Sequence, residues 1–114
     1  NLPDNDEWTL SLLTNDEVLA VNQASANNRE LFVRGEARAY AADVLGKKMT
    51  YLAVFNTGEG GPIEVRIPLA SLGLSGRCAM RDLWLRKNLA PVRDEVVAKV
   101  GTHACVLYRL RSRD

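Results

Sequence analysis

Met49-Thr50-Tyr51-Leu52-Ala53-Val54-Phe55 and Ile63-Glu64-Val65-Arg66-Ile67-Pro68-Leu69 decide the fold class. In the first stretch both alternating sets of side chains are largely apolar, which predicts a central strand covered on both faces. In the second, Ile63, Val65, Ile67 and Leu69 alternate with Glu64, Arg66 and Pro68, so one face is buried and one is wet. Pro68 has no N–H to give to a ladder and places this strand at an edge or at its end. Asn56-Thr57-Gly58-Glu59-Gly60-Gly61-Pro62 between them is a loop. It lacks the GxxxxGK[ST] pattern of a phosphate-binding loop and reads as a flexible hairpin loop.

The same period continues outward. Downstream, Ala70 to Gly76 is a turn with room for one helical turn at Ser71-Leu72, and Arg77 to Leu85 is the next strand. Arg86-Lys87-Asn88 breaks it, Val92 to Val100 follows, Gly101-Thr102 turns the chain, and Ala104 to Leu110 closes the domain. Upstream, Glu30 to Arg34 is a short apolar run. Ala37 to Val44 has few bulky side chains and ends at the turn signal Leu45-Gly46-Lys47-Lys48. Roughly seven or eight short strands, with turns about every ten residues, predict a mainly β chain: an antiparallel β-sandwich of Greek-key type.

The N-terminal part differs. Asp4 and Glu7 have capping-box spacing ahead of Trp8, Leu12 and Leu13, and Thr14 and Glu17 form a second box ahead of Val18, Leu19 and Val21. Both read as short helical stretches, with Asn22 to Asn28 as a polar connector. Residues 1–28 carry five acidic side chains and no Lys or Arg, for a net charge of −5. Residues 29–114 carry all 15 basic side chains and 9 acidic ones, for a net +6. So sharp a shift predicts two units with different neighbours, 1–28 and 29–114, with the boundary near Asn27-Asn28. The chain opens at Asn1 rather than Met, as expected of a piece cut from a longer protein.

Net charge over the whole chain is +1, which gives no bulk attraction to nucleic acid or membrane. No apolar run approaches the roughly 18–20 residues that span a bilayer. Cys78 and Cys105 have no zinc spacing and read as two buried thiols, and His103 is the only histidine, so neither a metal site nor a cofactor site is expected. His103 is expected to be structural, bonding to a turn carbonyl. Outside the N-terminal cap, Asp16-Glu17 and Asp94-Glu95 are the adjacent acidic pairs. The first caps a helix; the second, on a strand, points to opposite faces. No catalytic residue is therefore expected. Arg109, Arg111 and Arg113 recur at period two with few aromatics between them, which predicts a solvated edge or a salt-bridged contact with an acidic partner surface rather than base stacking. A sugar-binding sandwich would stack its ligand on an exposed ring; Tyr51, Phe55 and Trp84 read instead as core rings, which weighs against the alternative of an independent carbohydrate-binding module with a carbohydrate partner.

Leu10-Ser11-Leu12-Leu13-Thr14-Asn15-Asp16-Glu17-Val18-Leu19-Ala20-Val21-Asn22-Gln23 resembles the end of the catalytic barrel in α-galactosidase-like glycoside hydrolases, the melibiase group, family 27. Ala53-Val54-Phe55-Asn56, Leu72-Gly73-Leu74-Ser75-Gly76, Met80-Arg81-Asp82-Leu83-Trp84, Arg86-Lys87-Asn88-Leu89 and the strand from His103 to Leu110 are similar to the same group in order and spacing. The resemblance implies that residues 1–28 are the last helical segment of a (β/α)₈ barrel absent from this chain. It implies that 29–114 are the C-terminal sandwich, with that barrel as its partner. It also implies a parent that hydrolyses terminal α-galactosides with two aspartates, nucleophile and acid/base, both lying before residue 1. Such a parent fits a secreted or periplasmic setting. Asn22-Gln23 is followed by Ala24-Ser25-Ala26-Asn27-Asn28 where many members have Asp-Pro-Leu-Gly, which leaves the parent's sugar open among α-galactosides, N-acetylgalactosaminides and β-arabinopyranosides.

Overall fold

The structure, a computed structural model, describes residues 16–44 and 47–113. One helix, α1 (Asp16–Ala24), precedes eight strands: β1 (Ser25–Arg34), β2 (Ala37–Val44), β3 (Met49–Asn56), β4 (Ile63–Pro68), β5 (Arg77–Asp82), β6 (Lys87–Arg93), β7 (Glu95–Val100) and β8 (Cys105–Ser112). The helical stretch expected around Trp8, Leu12 and Leu13, the residues Asp4, Glu7 and Thr14 of the two boxes, and Leu45-Gly46 of the turn lie outside the described residues.

The strands form a six-stranded sheet, β1-β2-β3-β8-β5-β6, and a two-stranded sheet, β4-β7, every pair antiparallel. β8 returns between β3 and β5, so β8, β5 and β6 lie side by side and the chain then crosses to β7, the order of a Greek key. The expected mainly β antiparallel sandwich is what the chain builds.

The core follows from the alternation. Leu52 and Val54 of β3, Leu110 of β8 and Cys78 and Met80 of β5 meet Val65 and Ile67 of β4 and Val96, Ala98 and Val100 of β7. A 3₁₀ turn, Leu69–Leu72, adds two buried leucines and ends at Gly73, whose φ of 73° lies in the left-handed region that favours glycine. Pro68 closes β4, which pairs with β7 alone, as a strand-ending proline requires. β3 is an interior strand. Its Thr50, Leu52, Val54 and Asn56 face the second sheet, while Tyr51 is buried on the opposite, outer face. Cys78 points inward, and Cys105 sits on the outer face beside Phe55; both are thiols.

Four local expectations are corrected. The glycine loop is not a hairpin: it starts after Asn56, the last residue of β3, and carries the chain from the six-stranded sheet to β4 of the two-stranded one. The polar run after Asn22 is not a connector: α1 continues to Ala24 and β1 begins at Ser25, so Asn27-Asn28 lies inside an edge strand whose register slips between Ala26 and Arg29. Lys87-Asn88 does not break a strand but opens β6, after a turn at Leu83 to Arg86 that Asp82 caps by accepting the Leu85 N–H at 2.9 Å. The run Val92 to Val100 is two strands, split at Asp94, whose φ of 73° turns the chain from one sheet into the other.

Candidate functional site

The outer face of the six-stranded sheet is where α1 seats. Val18 is 2% exposed and packs with Ala42 and Val44 of β2, Tyr51 of β3 and Leu83, with Val21, Met49, Trp84 and Leu107 around them. Apolar contact gives the seat, and charge orients it. Glu17 accepts two hydrogen bonds from Arg81 of β5, from Nε at 2.8 Å and Nη2 at 2.7 Å. Arg81 also donates from Nη1 to Asn88 Oδ1 at 2.8 Å, and Arg86 lies 3.7 Å from Asp16. Bidentate guanidinium–carboxylate pairing fixes an orientation as well as adding attraction.

The Arg81 hydrogen bonds hold the Glu17 carboxyl below its ordinary value of 4.5, against the opposing effect of burial, and the charges of Arg81, Arg109 and Arg86 act in the same direction as the hydrogen bonds. A lowered folded pKa adds stability that is fully present above the unfolded value and is lost as pH falls through the folded one. Acidification below pH 4.5 is therefore expected to loosen α1 from the sheet before the sandwich unfolds. Trp84 fluorescence should show this as an early acid transition, and Glu17→Gln should abolish it. A single transition common to both proteins would contradict the pairing.

The residues singled out by the sequence are scattered rather than gathered. Asp94 is exposed at the corner between sheets, and Glu95 pairs with Arg66 on the outside of the two-stranded sheet. Asp16 and Glu17 form the first turn of α1. His103 stands in a turn at φ 57°, with Nε2 3.9 Å from Glu59 Oε1, so its neighbour is a carboxylate and not the turn carbonyl expected. Among the described residues no three His, Cys, Asp or Glu side chains converge as a metal site. Tyr40 is the one exposed aromatic ring among them, and it meets Phe55 edge-on at 5.7 Å. Phe32 is overlaid by the Arg34 guanidinium at 4.0 Å. Burial, and then the Asp82 charge, raise the Tyr108 phenol above its usual range.

Sequence reasoning passed over Asn56 as a working residue. It is 1% exposed at the end of β3, and its Nδ2 donates to Gly61 O at 3.0 Å and Val100 O at 3.2 Å, while its Oδ1 accepts the Gly58 N–H at 3.0 Å. One amide thus ties the glycine loop to β3 and β3 to the opposite sheet. A polar residue ending an otherwise apolar strand was the available signal.

The described residues thus include a helix seated on the outer face, a β5–β6 hairpin tip with Leu85 69% exposed, and the Glu17–Arg81 pair between helix and sheet. Residues 34–110 match the family described as "Alpha galactosidase C-terminal beta sandwich domain". Alpha-galactosidase 2 of Arabidopsis thaliana is 32% identical over 111 residues, covering 95% of this chain and 28% of that protein. A GH27 β-L-arabinopyranosidase from Geobacillus stearothermophilus superposes with a TM-score of 0.85 at 32% identity, over 97% of this chain and 25% of that one. A putative α-N-acetylgalactosaminidase from Bacillus halodurans gives 0.82 at 28% identity, over 97% and 26%. The chain spans about a quarter of the length of these relatives. By sequence and by fold, it belongs to the α-galactosidase C-terminal β-sandwich family.

Proposed function

We propose that the chain is the non-catalytic accessory domain of an α-galactosidase-like glycoside hydrolase, packing on and stabilising a catalytic barrel in the same polypeptide. The observation that carries this is the match of nearly the whole chain to about a quarter of glycosidase relatives, with α1 seated on the sheet's outer face. On this reading residues before β1 are the last helical part of the barrel. The parent hydrolyses terminal α-galactosides by a retaining double displacement at two aspartates upstream of residue 1. The named activities of the relatives, on β-L-arabinopyranosides and N-acetylgalactosaminides among them, define the sugars to be compared.

Retaining glycosidases need two carboxyls about 5 Å apart across a cleft. Asp94 and Glu95 are on the outside of the sandwich, Glu95 already paired with Arg66. In the full-length polypeptide, Asp94→Asn with Glu95→Gln should leave kcat on an aryl α-galactoside within about twofold. A fall of about 10²–10⁴, the size of a lost general acid or base, would assign chemistry to this domain.

A further inference from the structure

The outer face carries an arginine row that the sandwich itself does not need. Arg109, Arg111 and Arg113 alternate along β8 onto this face, as Tyr51↔Arg109 and Met49↔Arg111 pairing requires. The Arg113 N–H bonds to Arg77 O of β5 at 3.1 Å, and Arg77 stands opposite Arg93 of β6. Arg113, Arg77 and Arg93 therefore lie abreast on three adjacent strands about 4.8 Å apart. All three are exposed, and Arg111 is their neighbour along β8. Like charges directly opposite destabilise a strand pair, so the row works against the isolated sheet. Arg29, Arg66, Arg81 and Arg86 each have a carboxylate within 4 Å. Among the described residues, none stands within that range of Arg77, Arg93, Arg111 or Arg113.

We infer that this row docks a carboxylate-rich face of the polypeptide that precedes α1. The inference deepens the proposed function and rests on it, by naming the chemistry of the interdomain contact. Two observations choose this occupant over a free polyanion. Glu17, from the N-terminal side of the sandwich, already seats a carboxylate bidentate on Arg81, four residues along β5 from Arg77 and on the same face. That helix begins on this same face, with an acidic first turn. Beside the row a hollow of about 320 Å³, floored by Met49, Ala79, Leu89 and Pro91, leaves room for side chains of a partner between the guanidinium groups. Arginine's planar fork suits paired carboxylates on a protein surface better than a lysine row would.

The test uses the full-length polypeptide. Phenylglyoxal, which modifies accessible guanidinium groups, should label Arg77, Arg93 and Arg113 at least about tenfold more slowly than Arg34 on the far strand β1, a protection worth about 1.4 kcal/mol or more. The R77E/R93E/R113E variant should unfold at a midpoint lower by about 5 °C or more. High salt should narrow the difference. Labelling as fast as at Arg34, an unchanged midpoint, or capture of sulfated dextran or RNA by the row in the intact protein would each overturn the inference. Absent glycosidase activity with the row still protected would instead sink the proposed function and leave the docking surface standing.

Discussion

Replacing Asn56 with leucine is expected to lower the unfolding free energy of the sandwich by about 3–5 kcal/mol, since each buried group left without a partner costs about 1–3 kcal/mol. The size fits, but leucine offers no hydrogen bond. Gly61 O, Val100 O and the Gly58 N–H all lose their side-chain partner at once. The loss is doubly structural, because the loop after β3 and the contact between sheets depend on the same amide. Urea titration should show a lower midpoint with an unchanged slope, the signature of lost stability in the same native fold. A loss under about 1 kcal/mol would mean that the loop and β7 hold their places without Asn56.

The second large effect belongs to Leu52. It is fully buried at the middle of β3 and faces Val54, Leu110 and the second sheet. Leu52→Ala removes three carbons from a site bounded by two sheets that cannot collapse independently. The expected loss is about 3–4 kcal/mol, combining lost transfer energy with a cavity. Against a total of about 5–15 kcal/mol for an ordinary domain, either substitution brings the sandwich close to unfolding. Ala53→Gly on the same strand but the opposite, half-buried face should cost about 1 kcal/mol. If the two changes cost the same, the assignment of inner and outer faces would be wrong.

What could be read from the sequence was what burial writes into it. β3 and β4 are legible because one strand is covered on both sides and the other on one, so their apolar periods differ. The strand stretches that escaped notice, Ser25 to Arg29 of β1 and Lys87 to Pro91 of β6, are those that burial does not mark. β1 and β6 are the two edges of the six-stranded sheet, and their exposed positions show no alternation to find. The corner at Asp94 was hidden for the opposite reason: Val92, Val96, Ala98 and Val100 keep a continuous apolar pattern across a reversal that only the backbone angle reveals. Asn56 was visible as a polar strand end, but its partners lie five and 44 residues away. The arginine stripe on β8 was plain at period two, whereas Arg77 and Arg93 join it only through strand register. Among the described residues, the charge contrast between the N-terminal part and the rest takes physical form in the Glu17–Arg81 and Asp16–Arg86 pairs.

The function depends on that division. Among the described residues, carboxylates cap a turn, pair with arginines or face solvent, and on the proposed reading the outer face meets the barrel. The most direct test is an assay of the purified 114-residue chain beside the full-length polypeptide on a chromogenic aryl α-galactoside. The account predicts turnover by the full-length protein and none above the blank by the chain alone. Turnover by the folded chain itself would contradict it.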